Sequence, residues 1–579
     1  MMLNLDKLFC RKTDTIKSVM LMFNDVKKFN LPNGIGLVLN DSGQLQGTIS
    51  EGDIRRALLK GYSLSDTIEN CFTKNPITFP EGMSMTDILD KLPVELINRN
   101  RKASKYLSKL IIVNDNYQPV RVFDYHELWE LSVATHRHIV VVGLGYVGLT
   151  MAVVMADAGF MVTGVEVDEN KYNLLSNAES YIHEIGLQEM LSEQLNKNLF
   201  ISKDMPEEAD VFIISVGTPV GLDENGNVSP VFSFILDASE KIGRTLKNGN
   251  LVILRSTVPI GTSRNIVLKQ LELHSGLRCG TEFYLSFAPE RTAEGKALKE
   301  LRSLPQIIGG FDKDSLGLTS AIFRDLTPTI VKLDSLEAAE MAKLMNNTFR
   351  DYIFAYANQM SKIASEYNIN IFNVINAANQ GYVRDPIPLP SPGVGGPCLT
   401  KDPFIFASVT KQLNISSDLF LLSREINESM HNFIYNRVVN SLLKCGKNLE
   451  DTNLLVAGLA FKGNPETGDL RNSTSIDIAY LFKPHVKNLY GYDPIANDMD
   501  ILSYGLVPFD IKNGFGDLDV VLFLNNNKDF ENINVFTMVR QMREKPIIFD
   551  GWDLFRWKEI IEVKPSTYIG LSIEKTTIH

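Results

Sequence analysis

Three pairs of chemically able residues recur four positions apart in this chain: Glu290 and Glu294, Lys343 and Asn347, and Cys398 and Asp402. Residues i and i+4 share one face of a helix, so each pair can present two groups to a single pocket. The set holds a nucleophile, carboxylates for proton transfer, and an ammonium and an amide suited to an oxyanion. Cys398 follows Gly393, Gly395 and Gly396, a run able to fold tightly, and is expected at the opening of a helix. A thiol there, near Lys343, should have its pKa lowered from about 8.5, which gives the thiolate needed for attack.

A second constellation suits a phosphate. The β-branched run IVVVG leads into Gly143-Leu144-Gly145-Tyr146-Val147-Gly148 and then a helical stretch. Glycines there permit a tight turn and let the backbone approach a pyrophosphate at the helix N-terminus. Glu166 follows Gly143 by 23 residues, at the end of the next strand run. A carboxylate at that spacing accepts ribose hydroxyls, and it favours NAD over NADP because a 2′-phosphate would be repelled.

The elements that must position these groups can be read from periodicity. Runs at 162–165, 211–216, 251–254 and 283–287 are separated by helix-length stretches, the pattern of a parallel sheet. From about Ser335 to Asn379 the apolar spacing predicts one long helix. Strand runs return in LLVAGLAF, LYGYDP, VVLFLN and IIFDGW. In front, GIGLVLNDSGQLQGTISEGDIRRALLKG and LIIVNDNYQPVRVFDYHELWEL share a strand–turn–strand–helix order, which makes an internal duplication plausible. The expected fold class is α/β. Two Rossmann-like doubly wound domains (137–333 and 441–579) are joined by a central helical domain (334–440) and preceded by a small α+β module (1–133).

Composition narrows the function classes. The 579 residues are 44% hydrophobic and 22% charged, ordinary for a globular protein, and the net charge of −11 argues against nucleic acid or an anionic membrane surface as partner. No uninterrupted apolar run reaches about 18 residues, and the first twenty residues lack a secretory pattern. The five scattered cysteines suggest neither a disulfide framework nor a zinc site, so a cytoplasmic location is expected, with no resident metal.

With GLGYVGL, VGTPV, STVPIGT, APERTAEG, AEMAKLMNNTF, GVGGPCLTKD and GLAFKGNPETGDLRNS in this order, residues from about 137 to 560 resemble the UDP-glucose/GDP-mannose dehydrogenase family. The resemblance implies NAD-dependent, four-electron oxidation of a nucleotide sugar at C6. By position, the cofactor would meet Gly143, Gly145, Tyr146, Val147, Gly148, Glu166, Lys171, Thr218, Thr257, Lys401 and Arg471. Cys398 would be the nucleophile, with Glu290, Glu294, Lys343, Asn347, Asp402 and Thr257 around the reacting carbon. Phe461 and Lys462 would touch the sugar nucleotide, and Arg384 would reach the substrate of a neighbouring subunit, implying a homodimer or higher homo-oligomer. Departures leave the sugar open among glucose and the N-acetylhexosamines: GVGGPC resembles the N-acetylhexosamine branch, Lys401-Asp402 the glucose type, Glu294 is present where N-acetylmannosamine members often lack it, and the 462–471 loop is longer than usual.

The front duplication resembles a CBS-domain pair. Ser50 and Asp53 match the Ser-x-x-Asp element that in such modules meets a nucleotide ribose, which makes an adenine nucleotide a candidate ligand. Phe123 and His126 hold the second copy's places. A packing or dimerisation module without ligand is the alternative. Two further readings of the whole chain stay open, a two-electron dehydrogenase of the 2-hydroxyacid or 6-phosphogluconate type and an inactive nucleotide-binding regulator.

Overall fold

Strands with no polar face must be covered on both sides, and the β-branched runs of this chain are found so. The computed structural model describes residues 5–26, 34–83, 88, 91, 109–124, 137–224 and 226–577. His138–Val142, Val211–Ile214, Leu251–Leu254 and Tyr284–Phe287 lie side by side in parallel. Met161–Val165 and Leu199–Ser202 extend the sheet on one side, Gln306–Gly310 and Ile330–Leu333 on the other, and only the Tyr284–Phe287/Gln306–Gly310 pairing is antiparallel. The helix Tyr146–Asp157 follows the Gly143–Gly148 turn and is apolar all round; every residue from Gly148 to Ala156 is buried. That is the composition of a helix enclosed on all sides rather than laid on a surface.

A second, seven-stranded sheet closes the chain. Asn453–Ala457, Val520–Phe523, Ile547–Asp550 and Thr567–Gly570 run parallel at its centre, with Asn488–Tyr492 beside the first. Between the sheets stand the helices Leu336–Glu366, Asp402–Gln412 and Asp418–Lys444. The expected single helix to Asn379 is two: it ends at Glu366, Asn368 takes φ 49°, and Asn370 caps a new helix, Ile371–Asn379, by accepting from the Asn373 amide. Asparagine tolerates the left-handed region and caps well, so two of them within three residues override the apolar spacing.

In the front module, Ile35–Leu39 pairs antiparallel with Leu45–Ser50, and Lys109–Val113 with Pro119–Asp124. Both hairpins turn on the same device. The Asn40 side-chain oxygen accepts from the Ser42 and Gln44 amides (3.0 and 2.9 Å), and that of Asn114 from the Asn116 and Gln118 amides (3.0 and 3.0 Å). The turns also exchange bonds: Gln44 donates to the Asn116 carbonyl and Gln118 to the Ser42 carbonyl. His126 and the helix expected after the second hairpin lie outside the described residues.

Ser50 and Asp53 have a use of their own. Ser50 caps the helix Glu51–Leu59, its hydroxyl accepting from the Asp53 amide while the Asp53 carboxylate takes the Ser50 amide at 2.9 Å. Arg56 and Thr73 hold the other Asp53 oxygen. The acceptors expected to meet a ribose thus form a capping box, and no nucleotide contact is assigned to them.

Candidate active site

The cofactor turn is shaped by what its glycines leave out. Gly143 adopts φ 85°, and a Cβ on Gly148 would lie 1.9 Å from the Gly143 carbonyl oxygen. A Cβ on Gly145 would meet nothing within 4 Å, so the space above the helix N-terminus is open. Glu166 is buried beside the turn, accepting from the Leu144 amide (3.2 Å) and the Asp168 amide (3.0 Å). Two amides fix this carboxylate and leave lone pairs for ribose hydroxyls. Thr218 donates to the carbonyl of Thr257 at 2.5 Å, joining the two strand-end threonines. These residues fit a dinucleotide. Lys171 and Arg471 face the same cleft, a cavity of about 1020 Å³ that also includes Gly145, Tyr146, Glu294 and Asp469. Asp469 grips the Arg471 guanidinium with both oxygens, which sets the direction of the side chain.

The three spaced pairs behave differently. On the helix Leu336–Glu366, Lys343 and Asn347 face inward and are buried. Asn347 donates to one oxygen of Asp402 at 2.5 Å and Lys401 to the other at 2.8 Å, while Asp402 itself is 0% exposed. The amide and the ammonium hold a carboxylate where water cannot. Lys343 has no ion pair among the described residues; its charge is felt by Glu290 and Cys398.

Cys398 lies in a turn before the helix Asp402–Gln412, and its carbonyl accepts from the Lys401 and Asp402 amides. The expected place at the helix opening is corrected: Cys398 stands four positions ahead of the first helical residue, and the helix-end effect fades within a turn. The expected lowering of its pKa is also corrected. The thiol is held above the usual cysteine range, first by the protein crowded around it and then by Asp402, against Lys343 and Lys401. Cys398 is nonetheless solvent-exposed. Water softens the first effect, and the neighbouring carboxylate keeps the direction upward.

Glu290 and Glu294 part company. Burial pushes Glu290 up, but Arg255, the Thr292 amide and Lys343 outweigh it and hold its carboxyl below the usual range. Arg255 bonds it at 2.5 Å, in a pair almost fully shielded from solvent. Glu294 is pushed up to about 7, by burial and then Asp469, against Lys462 and Arg471. Lys462 donates to the Glu294 carbonyl at 2.8 Å, and a Cβ on Gly396 would lie 2.7 Å from the Phe461 ring, so both expected substrate contacts border the site. Arg384 does not: it is exposed, over the Tyr382 ring, and meets none of these groups among the described residues.

Several residues that shape the site carry no sequence signal of their own. Arg424 is 2% exposed, pairs with Asp351 at 2.6 Å and donates to the Val394 carbonyl at 3.1 Å, fixing the glycine loop before Cys398. Asn358 accepts from the Ser391 amide at the start of that loop. Arg255 and Glu184 were also missed. Only contacts between segments distant in sequence reveal any of them.

Comparison with known proteins agrees with this arrangement. The chain matches the UDP-glucose/GDP-mannose dehydrogenase family over its NAD binding domain (residues 137–327), central domain (337–429) and UDP binding domain (455–556). A UDP-N-acetyl-D-mannosamine dehydrogenase of Pyrococcus horikoshii is 32% identical over 72% of this chain and 96% of its own length. The solved structure of such an enzyme from that organism superposes with a TM-score of 0.67 at 30% identity, covering 75% of this chain and 99% of the other. A UDP-N-acetyl-mannosamine dehydrogenase structure from Staphylococcus aureus gives 0.63 at 31% identity, covering 75% and 98%. Matched across all three of its domains, and carrying the dinucleotide turn, the clamped Asp402 and the cysteine turn, the chain belongs to the UDP-glucose/GDP-mannose dehydrogenase family, the NAD-dependent dehydrogenases of nucleotide sugars.

Proposed function

We propose that this enzyme oxidises the C6 hydroxyl of a UDP-N-acetylhexosamine, UDP-N-acetylmannosamine foremost, to the uronic acid in two steps through a thioester on Cys398. The observation that carries the reading is the buried Asp402, clamped by Asn347 and Lys401 beside a solvent-open thiol. The sugar is inferred from the relatives, named for UDP-N-acetylmannosamine at about one-third identity. NAD, when bound, takes up the hydride in each step.

The chain's own groups account for the protons. Oxidation of the alcohol releases one proton, which a water held by Thr257 or Lys343 accepts and passes to solvent, a transfer worth about 10²–10⁴-fold. The Cys398 sulfur then bonds to the aldehyde carbon. A thiol with a raised pKa loses its proton as it attacks, and Asp402 is the nearest acceptor along the chain. Lys343 and Asn347 face the resulting oxyanion. After the second hydride leaves, the thioester is opened by water, releasing the carboxylate and restoring the thiol. Glu290, held ionised by Arg255, assists that water. NADH formed per sugar consumed tests the scheme across UDP-hexoses, UDP-N-acetylhexosamines and GDP-mannose. About two is expected; one indicates a two-electron dehydrogenase, and zero throughout a binding protein.

Glu294 should shape the pH dependence. Its folded pKa, about 7, stands above the ordinary glutamate value of 4.5, so the folded state holds its proton more tightly. The stability Glu294 contributes therefore declines as pH rises between those values. The ionised form, the one able to take a proton, prevails only above about 7. We expect an acid limb near pH 7 in kcat/KM that Glu294→Gln removes. Glu340, also pushed up to about 7 by burial, is the rival source; a limb that persists in Glu294→Gln assigns it elsewhere.

The helix Leu336–Glu366 supports a dimer. Its buried positions mix polar groups (Lys343, Asn347, Asp351, Asn358) with apolar ones (Leu336, Ala339, Leu344), whereas Met341, Met345, Phe349, Tyr352 and Tyr356 are exposed on other faces. An exposed apolar stripe on a helix whose other side is already packed within the chain suits a second copy of the chain, which would also give the outlying Arg384 a neighbouring site to reach. No described helix is long and apolar enough to cross a membrane, and we place the enzyme in the cytoplasm, supplying uronic acids for glycan precursors.

A further inference from the structure

One buried carboxylate in the large cleft has no part in the scheme above. Glu184 is 6% exposed and takes hydrogen bonds from two distant segments. The Tyr146 hydroxyl donates to it from the cofactor turn; the Gly295 amide (2.6 Å) and the Ala297 amide (2.8 Å) donate from the segment after Glu294. Gly295 is enclosed on its other side too. It adopts φ 83°, and a Cβ there would lie 2.5 Å from the Glu466 carbonyl oxygen. The backbone beside Glu294 is therefore gripped between Glu184 and the loop that follows Lys462.

We infer that Glu184 is a positioning residue that locks the Glu294 segment to the cofactor turn through Tyr146 and, through the Glu294–Gly295 peptide, to Lys462. The second part follows from the peptide between Glu294 and Gly295, whose amide donates to Glu184 (2.6 Å) while its carbonyl accepts from Lys462 (2.8 Å). Burial lowers the Lys462 pKa; Glu294, then Glu184, and more weakly Glu300 raise it, while Arg350 lowers it. Neutralising Glu184 removes one of the two leading supports, so Lys462 loses its proton at lower pH.

The test uses the full chain with Glu184→Gln, Glu184→Asp, Tyr146→Phe and the double variant Tyr146→Phe/Glu184→Gln. Fluorescence titration with NADH reads the cofactor side without any sugar. Loss of a charge-assisted bond weakens NADH about tenfold in Tyr146→Phe and in Glu184→Gln. The double variant is no weaker than Glu184→Gln, because both changes break the same bond. The alkaline limb of kcat/KM for the sugar nucleotide, a readout that rests on the proposed function, moves to lower pH in Glu184→Gln and stays in place in Tyr146→Phe and Glu184→Asp. Glu184→Asp keeps the charge and carries this arm if the glutamine variant does not fold. Additive losses in NADH affinity overturn the lock, and an alkaline limb unmoved by Glu184→Gln overturns the link to Lys462. If the wild-type enzyme oxidises no sugar nucleotide, the proposed function fails while the NADH titration still decides the lock.

Discussion

Replacing Cys398 with serine should cut uronic acid formation by about a thousandfold or more while NADH affinity is retained. A hydroxyl in that turn is far less nucleophilic than a thiolate and has no base poised to ionise it fully. The turn itself, fixed by the Lys401 and Asp402 amides on the Cys398 carbonyl, does not depend on the sulfur. Mass spectrometry of the product sugar, beside fluorescence titration with NADH, measures both halves. Acid production at the wild-type rate would remove covalent catalysis from the mechanism. Alkylation supplies a second view. Cys398 is exposed, whereas Cys10 and Cys279 are buried, the former pushed up to about 12, so a brief exposure to iodoacetamide should label Cys398 ahead of both.

The largest loss of stability is expected from Arg424→Met. Arg424 and Asp351 are 2% and 1% exposed, and Asn427 adds a bond to the same Asp351 oxygen. Removing one member of a buried pair leaves the other charge unpaired and costs about 3–5 kcal/mol. Burial already raises the Asp351 pKa despite the arginine. Without Arg424 the carboxyl takes a proton more readily, so the deficit shrinks in acid and grows as the pH is raised. Activity should fall as well, because the Val394 carbonyl loses its donor and the loop before Cys398 loosens. Urea unfolding of Arg424→Met and of Arg424→Met/Asp351→Leu separates the causes. If the charge is the problem, the double variant recovers most of the stability; a single variant within about 1 kcal/mol of wild type would show that the pair contributes little.

How much of this could be read from the chain depends on the range of the interaction. The dinucleotide turn was legible because glycine spacing, a buried strand before it and a helix after it are all local, and Glu166 falls where the next strand ends. Lys343 and Asn347 were legible as one face because helical spacing fixes it whatever packs against them. The same rule failed for Cys398 and Asp402: the cysteine sits in a turn held by side chains from other elements, and burial, then Asp402 beside it, raises the thiol pKa. It failed again at Asn368 and Asn370, where local capping ended a helix that the apolar pattern would have continued.

The sequence by itself therefore determined the strands, the cofactor turn, the helix bearing Lys343 and Asn347, and the inventory of reactive groups, all set by neighbours a few residues apart. Only the tertiary structure decided how those groups are tuned. Glu290 and Glu294 stand in one short motif, yet Arg255 draws the first carboxyl down while burial lifts the second to about 7. Glu184 and Gly295 are 111 residues apart and meet at 2.6 Å. A pKa depends on charge and solvent within a few ångströms in space, and no periodicity along the chain records which residues those will be.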